Sequence, residues 1–571
     1  MNKLVKFTFE NRGYSQDFID DLQCSSSEQL AHVSQMAEML HHAKNNDEAI
    51  CIRTDFDTDG ICSGLIAYTG LSELGFKVTL YRSEPNLGYE ITREDVNRIL
   101  VFGYSSKILL TCDVGITCID AINYAKQLGL KVIVTDHHQE CQTKCPADVV
   151  VDPMQEEDEY KHPQICGAFV IYKCLEFYAK QYGTEFDLNQ IERLQVFAGI
   201  GTVADLMPIL YENRNVVKNA IGILKMIYCG KDDYMVNALP GCEIYRKTFF
   251  GLHCLMKEFS ANKQLATPSI IDEKFFGYVV APAINTIKRM QDVVDEVSIN
   301  IIYDCFLDEQ QENAKKLLEL CSLRKEKLEE FYEQVQQEQN FAPYIYLSDA
   351  PKGFLGLLAN KLAKENQSPV IVVHKSDDGR IQGSARGLKW YPFLTKMRAN
   401  GVKADGHEFA FGVAFDDLSE VEKLHKLLEI DVPKVYEDAL QSGDEIQENY
   451  DFTIAQDGSG DTTIDFQLFD EYLEEIMLYK PFGVGFPEPN ILFTSDAELK
   501  DEQIRVMGSE KQHLALTFDY GFQVILWNQA DDIDKIKAAK KLKFAGFLQK
   551  SEFMGKEQTN LIGRFVEDVE R

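Results

Sequence analysis

No stretch of this 571-residue sequence stays apolar for the roughly 20 residues that a bilayer-crossing helix needs, so a membrane protein is not expected. The first residues, MNKLVKFTFENRGYSQDF, lack the apolar core and the small-residue cleavage site of a secretion leader. They are expected to belong to the folded protein, and the protein to be cytoplasmic. Internal repeats and low-complexity linkers are missing as well. Positive charge is scarce: 59 Lys and Arg face 91 Asp and Glu, for a net charge of −32. That excludes a protein that coats nucleic acid over its whole surface, but not one with a local basic groove. Of the 14 cysteines none follows Cys321, and only Cys141 and Cys145 approach metal-pair spacing. Without a second pair a structural zinc site is not expected, and without a leader the thiols point to a reducing compartment.

What is present is an alternation of strands and helices. A chain this long divides into three or four domains, because single cores stop growing near about 250–300 residues. Residues 25–45 have helical periodicity. Then come short, uniformly apolar runs, AICIRTD, KVTLY, KILLTCD, KVIVTDHH and DVVVDP, separated by helical patterns. Runs without polar alternation are buried on both faces, which predicts an α/β fold with a doubly wound parallel sheet. Residues 186–224 read as helix, turn, helix with Asp205 in the turn, and about 310–338 as a long charged helix. A second, smaller α/β segment follows at about 342–432. From about 448 the alternation YDFTIA, LALTFDY, FQVILW predicts an antiparallel barrel. Segments such as 416–448 carry much of the acidity on what reads as a solvated face.

Ligands of such sheets bind at the carboxyl ends of the strands, and Asp55, Asp113, Asp136 and Asp152 each end an apolar run there. One strand-end aspartate is ordinarily a helix cap; four at one edge are not. In Asp55-Phe56-Asp57-Thr58-Asp59-Gly60 three alternating carboxylates repel one another unless cations hold them, which suits Mg²⁺ or Mn²⁺. A calcium loop of EF-hand type is excluded, since the twelfth position is Ile66 rather than glutamate. Asp113 and the Asp136-His137-His138 triplet add imidazole to the carboxylates, which favours Mn²⁺. Adjacent residues of a strand face opposite ways, so one histidine is expected to bind metal and the other to face substrate.

DFDTDG, TCDVGIT, VTDHHQE and GTVADLMPI, in this order, resemble the successive motifs of the DHH phosphoesterase superfamily. APAINTIKRM resembles its PRINAAGR-type segment, GSARG and DGHEFAFG resemble motifs of the DHH-associated domain, and KPFGVGFPEP resembles the PFGxGNPEP motif of RecJ exonucleases. The resemblance implies a domain order. An N-terminal segment 1–45 packs on a DHH catalytic domain at 46–230; 231–340 is a linker region with the PAIN segment and a long connecting helix; 341–432 is the DHH-associated substrate-binding domain; and 433–571 is an OB-like nucleic-acid-binding domain. It implies a single-stranded-DNA-specific 5′ to 3′ exonuclease with two Mn²⁺ or Mg²⁺ ions, acting in repair or recombination. Asp55, Asp57, Asp59, Asp113, His137 and Asp205 would be ligands, with Asp113 the bridge. Asp136 would orient a histidine, and His138 would face the scissile phosphate. Ser384 and Arg386 would hold a terminal phosphate; Gly406, His407, Asn285, Arg289 and Arg82 would contact the strand. Arg82 is included because Glu84 stands where the family carries arginine. Arg53, Ala283 and Asp405 also depart from the family pattern. In the barrel, Trp527, Phe522, Phe544 and the lysines of 535–544 are candidates for strand binding.

The implied partners are single-stranded DNA and a single-strand-binding protein or helicase, with the chain a monomer. Two other readings are a DHH phosphodiesterase of oligonucleotides or cyclic dinucleotides, which lacks the barrel, and a non-catalytic DNA-binding replication scaffold, which would have lost the ligands retained here.

Overall fold

The computed structural model describes residues 2–22, 28–82, 90–102, 106–156, 158–228, 248–257, 271–294, 297–308, 310–337, 341–376, 379–442, 450–455, 466–496, 499–508, 511–518, 522–553 and 556–566. Glu84 lies outside them. The uniformly apolar runs form five parallel strands: β1 (Ala49–Thr54), β2 (Val78–Tyr81), β3 (Ser106–Cys112), β4 (Lys131–Thr135) and β5 (Val149–Val151), in the order β2-β1-β3-β4-β5. Both faces are buried, as the lack of alternation requires. Ile50, Ile52, Ile108 and Leu110 pack under the helices Val33–Asn45, Thr58–Glu73 and Gly167–Tyr182. Cys51, Leu109, Val132 and Val134 pack with Arg93–Phe102 and Ile119–Gln127 on the other face. The sheet is doubly wound, as expected, and its strand order reverses between β1 and β3. Such a switch point leaves a crevice at the carboxyl edge, and Asp55 and Asp113 follow the two strands that flank it.

After the helices Gln195–Ala204 and Tyr211–Tyr228, the chain passes through the short helix Thr286–Met290, the helix Asn300–Leu307 and the long helix Gln310–Gln337. It then builds a second sheet in the order β6-β7-β8-β10-β9: Ile345–Leu347, Val370–Lys375, Ile381–Arg386, Ala410–Phe415 and Lys403–His407. The helix Lys352–Asn366 packs on this sheet, with Phe354, Leu358 and Leu362 buried against Val370 and Val372. Both sheets belong to one compact unit, Ser25–Ile446.

The other unit joins Met1–Cys24 to Gln447–Arg571. Of the 1–45 segment, the helix Val33–Asn45 packs on the first sheet, and Met1–Cys24 falls in the other unit. The reason is an ion pair far apart in sequence: Arg12 Nε and Nη2 donate to Asp451 Oδ1 and Oδ2 at 2.5 and 2.7 Å, and Nη2 also donates to the Glu488 carbonyl at 3.0 Å. Asn11 adds a hydrogen bond to the Asp451 carbonyl at 2.7 Å. The core of this unit is one seven-stranded sheet built from β11 (Phe452–Ala455), β12 (Ile491–Ser495), β13 (Ile504–Met507), β14 (His513–Thr517), β15 (Gln523–Leu526), β16 (Leu542–Phe553) and β17 (Lys556–Phe565), in the order β11-β12-β16-β17-β15-β14-β13; β11–β12 and β15–β17 pair in parallel, so the sheet is mixed rather than antiparallel throughout. Phe522 and Phe544, expected as stacking platforms, are core residues: Phe544 packs with Phe493, Phe518 and Phe565. Alternation sends them inward, whereas Trp527 is half exposed. Lys537 and Lys541 of the basic stretch pair with Asp501 and Asp496.

Removing Arg12 leaves a buried carboxylate unpaired. Arg12→Ala is expected to destabilise this unit by about 3–5 kcal/mol, read by denaturant unfolding followed at Trp527, with the unit of the parallel sheet unchanged.

Candidate metal centre and phosphate clamp

The carboxyl edge of the first sheet gathers the carboxylates that the strand ends carry. Ligand atoms of Asp55, Asp57 and Asp113 lie within 4.8 Å of one another, as do those of Asp59, His137 and Asp205, and those of Asp113, His137 and His138. His137 Nε2 stands 3.1 Å from Asp113 Oδ1 and 3.7 Å from oxygens of both Asp59 and Asp205. All six expected ligands thus meet at one place, with Asp113 and His137 each common to two of the sets.

Local structure holds these groups against their repulsion. Asp57 caps the helix Thr58–Glu73, accepting the Gly60 N–H at 3.0 Å. Asp59 accepts the N–H groups of Gly167 and Ala168 at 2.7 and 3.0 Å, so a second helix turns its positive end to the cluster. Asp113 adopts a left-handed backbone, φ 59°, which aspartate tolerates better than most residues. A Cβ on Gly167 would lie 2.6 Å from that of Asp113, so only glycine lets this helix approach so closely. Asp205 follows the last turn of Gln195–Ala204.

Crowding shows in the titrations. Burial, then the charge of Asp57, lifts Asp55 to about 7. Burial, then Asp59 and Asp57, lifts Asp205 to about 8 and raises Asp113, and burial, then Asp59, raises Asp57. Asp113 Oδ1 is buried without a hydrogen-bond partner. An oxygen-rich donor set with one imidazole, an orphaned carboxylate oxygen and mutual repulsion fits Mn²⁺ or Mg²⁺.

Asp136 plays a different part. It is buried, and its oxygens accept N–H groups of Ile116, His137 and His138 at 3.0, 2.8 and 3.3 Å, with Oδ1 2.8 Å from His138 Nδ1. Burial opposes its charge, but the His138 hydrogen bond and the backbone donor hold its carboxyl below the usual range. That hydrogen bond carries His138 up to about 9, whereas burial depresses His137. The two neighbours are therefore divided: His137 is buried inside the cluster, and His138, more than half exposed, is held by Asp136. Asp152 stands outside the ligand sets and accepts the Met154 N–H at 2.8 Å.

A second constellation forms on the smaller sheet and the segment that precedes the long helix. Arg386 Nη1 donates to Ser384 Oγ at 3.0 Å, and both lie against Gly356. Arg289 lies against Gly353, one turn earlier on the same helix. Burial, then the charges of Arg324 and Arg386, depresses Arg289 to about 10. Three guanidinium groups gathered at partial burial could hold an anion. Arg324 belongs to the long helix, donating to the Pro282 carbonyl at 2.9 Å. Sequence reading took that helix for a strut, although Arg324 falls seven residues after buried Leu317 on the same stripe. Lys288 and Gly167 were missed too. His407 and Gly406 (φ 136°) lie on the edge strand, where the row Arg386, Ala410, His407 runs across three strands. Asn285 Oδ1 accepts the Thr58 N–H at 3.1 Å, tying its segment to the metal cluster rather than to open solvent. Arg82 is not brought to the arginine group: it donates to Asp304 at 2.6 Å and Asn300 at 3.1 Å on the helix Asn300–Leu307.

Metal binding must strip protons from Asp55 and Asp205, so affinity rises with pH. Without metal these raised carboxyls make the folded state less stable as pH rises from their unfolded values toward about 8. The gain in Tm given by Mn²⁺ should accordingly grow from about pH 6 to about pH 8, measured by scanning calorimetry.

Residues 49–200 match the DHH family, N-terminal domain, residues 341–430 the DHHA1 domain and residues 461–564 the RecJ OB domain. The chain is 23% identical over 574 residues to the single-stranded-DNA-specific exonuclease RecJ of Haemophilus influenzae, covering 95% of this chain and 92% of that protein. It is 25% identical to that of Bacillus subtilis, covering 96% of this chain and 64% of that longer protein. The crystal structure of RecJ in complex with Mn²⁺ from Thermus thermophilus superposes with a TM-score of 0.73 at 22% identity, over 100% of this chain and 76% of that one. With its DHH, DHHA1 and RecJ OB domains in this order, the chain belongs to the DHH phosphoesterase superfamily as a RecJ-like member.

Proposed function

We propose that this protein is a cytoplasmic, single-stranded-DNA-specific exonuclease that releases 5′ mononucleotides from the 5′ end with two Mn²⁺ or Mg²⁺ ions. The observation that carries this reading is the pairing, within one compact unit, of a six-ligand carboxylate and histidine cluster with an arginine group suited to a phosphate. The relatives named as RecJ exonucleases support the choice of substrate.

The residues divide the work. Arg386, Arg289 and Ser384 hold the 5′-terminal phosphate, the guanidinium fork matching its oxygens. Arg324 fixes the Pro282 carbonyl and with it the segment that bears Arg289. Asp55, Asp57, Asp113, Asp59, His137 and Asp205 would hold the ions, which would supply water activation near neutral pH and charge stabilisation for the attacking and leaving oxygens. His138, anchored through Nδ1 to Asp136, presents its other N–H to a phosphate oxygen at the mouth of the cluster. Asp136 is a positioning residue, since its oxygens are taken up by the backbone and by His138. The strand continues past His407 along a groove of about 470 Å³ lined by Lys352, Gln382, Ser384 and Lys403. A single-strand-binding protein or helicase delivers it, and the chain acts as a monomer.

The test offers 5′-labelled and 3′-labelled single strands, duplex and dinucleotide in Mn²⁺, Mg²⁺ or chelator. Mononucleotides should leave the 5′ end of the single strand only, with chelator abolishing release and Asp136→Ala slowing it about 100-fold. Fast turnover of dinucleotides with no attack on long strands would sink the reading.

A further inference from the structure

Lys288 and Arg289 are consecutive on the helix Thr286–Met290, and neighbouring helical residues point about 100° apart. They serve different neighbours. Arg289 turns to Arg324 and Arg386, whereas the charges felt by Lys288 are first Asp55 and Asp57. Its Nζ stands 4.7 Å from the ring centroid of Phe56, the residue between those two aspartates. The placement is enforced: Asn285 accepts the Thr58 N–H at 3.1 Å, and Thr58 Oγ1 donates to the Ala281 carbonyl at 3.2 Å. The segment that bears Lys288 is therefore fastened to the loop that bears the ligands. Lys288 is partly buried in this placement.

Charge balance gives this lysine a task. Asp55, Asp57, Asp59, Asp113 and Asp205 crowd carboxylates into one place. The phosphodiester of a bound strand adds further negative charge. Arg53 and Lys288 both bring positive charge to Asp55, but Arg53 is fully buried, whereas Lys288 is partly exposed. A phosphodiester that passes to a pentacoordinate state gains charge on its non-bridging oxygens, where a fixed cation in a partly desolvated site acts most strongly.

We propose that Lys288 is a catalytic residue whose ammonium binds a non-bridging oxygen of the phosphodiester being cut, between the metal cluster and the arginine clamp. The proposal rests on the exonuclease reading. Neither pattern nor resemblance signals it, because the PRINAAGR-type segment has glycine at this position.

The experiment compares wild type, Lys288→Ala and Lys288→Arg on single-stranded DNA and on the p-nitrophenyl ester of thymidine 5′-phosphate, with calorimetric titration of Mn²⁺. Lys288→Ala is expected to lower kcat about 100-fold on both substrates with KM within about three-fold, and Lys288→Arg to retain at least about a tenth of the activity. Mn²⁺ affinity should stay within about three-fold of wild type. An unchanged kcat, a loss confined to the long strand, or a change in Mn²⁺ affinity large enough to account for the lost rate would each overturn the proposal. If wild type hydrolyses the ester but not the strand, the exonuclease reading fails, and Lys288 is judged on the ester alone. If wild type hydrolyses neither in Mn²⁺, both fail.

Discussion

Mutual repulsion among buried carboxylates is the constraint on which the first unit depends. Asp55, Asp57, Asp59, Asp113 and Asp205 come from a strand end, a helix cap, a helix's first turn, another strand end and a helix terminus. Left alone they would move apart or take up protons, and the elevated Asp55 and Asp205 carboxyls record that tension. The scaffold answers with fixed dipoles and steric closure. The amide end of Gly167–Tyr182 faces Asp59, and the missing Cβ of Gly167 lets that helix reach Asp113. Cations complete what the protein alone leaves unbalanced.

The part legible in the sequence was the part governed by local rules. Apolar runs without alternation signalled the parallel sheet, and aspartates at their ends located its working edge before any geometry was known. Strand alternation was expected to send His137 and His138 opposite ways, but both follow the end of β4 and their rings lie 4.5 Å apart; burial and the hydrogen bond to Asp136 are what divide them. Properties fixed by distant packing were not legible. Arg324 read as one more charge on a solvated helix, since nothing local reveals that its stripe meets Pro282. Arg82 read as a phosphate ligand, although Asp304 and Asn300, over 200 residues away in sequence, take its fork. Phe522 and Phe544 could be named as aromatic but not assigned to a face until strand register was known.

The segment Ala281–Arg289 links the two halves of the site in a way that neither sheet could. Thr58 is tied to it by two hydrogen bonds, Lys288 leans over Phe56, and Arg289 joins Arg324 and Arg386. The spacing between cluster and clamp is thereby set by a few residues of one rigid segment. Under the proposed function, a ruler of that kind sets where along a strand the bond is cut, measured from the end that the clamp would hold.

The ion pair of Arg12 with Asp451 bears on how the polypeptide is made. Arg12 leaves the ribosome long before its partner exists: the two are 439 residues apart. At roughly 5–20 residues per second the first helices wait on the order of 20–90 s for the surface they will cover. During that interval Leu4, Val5 and Phe9, which end up buried, have nothing native to pack against. Phe9 meets Tyr479 and Phe486 only once the chain has been made that far, so the packing of these helices waits on residues made much later.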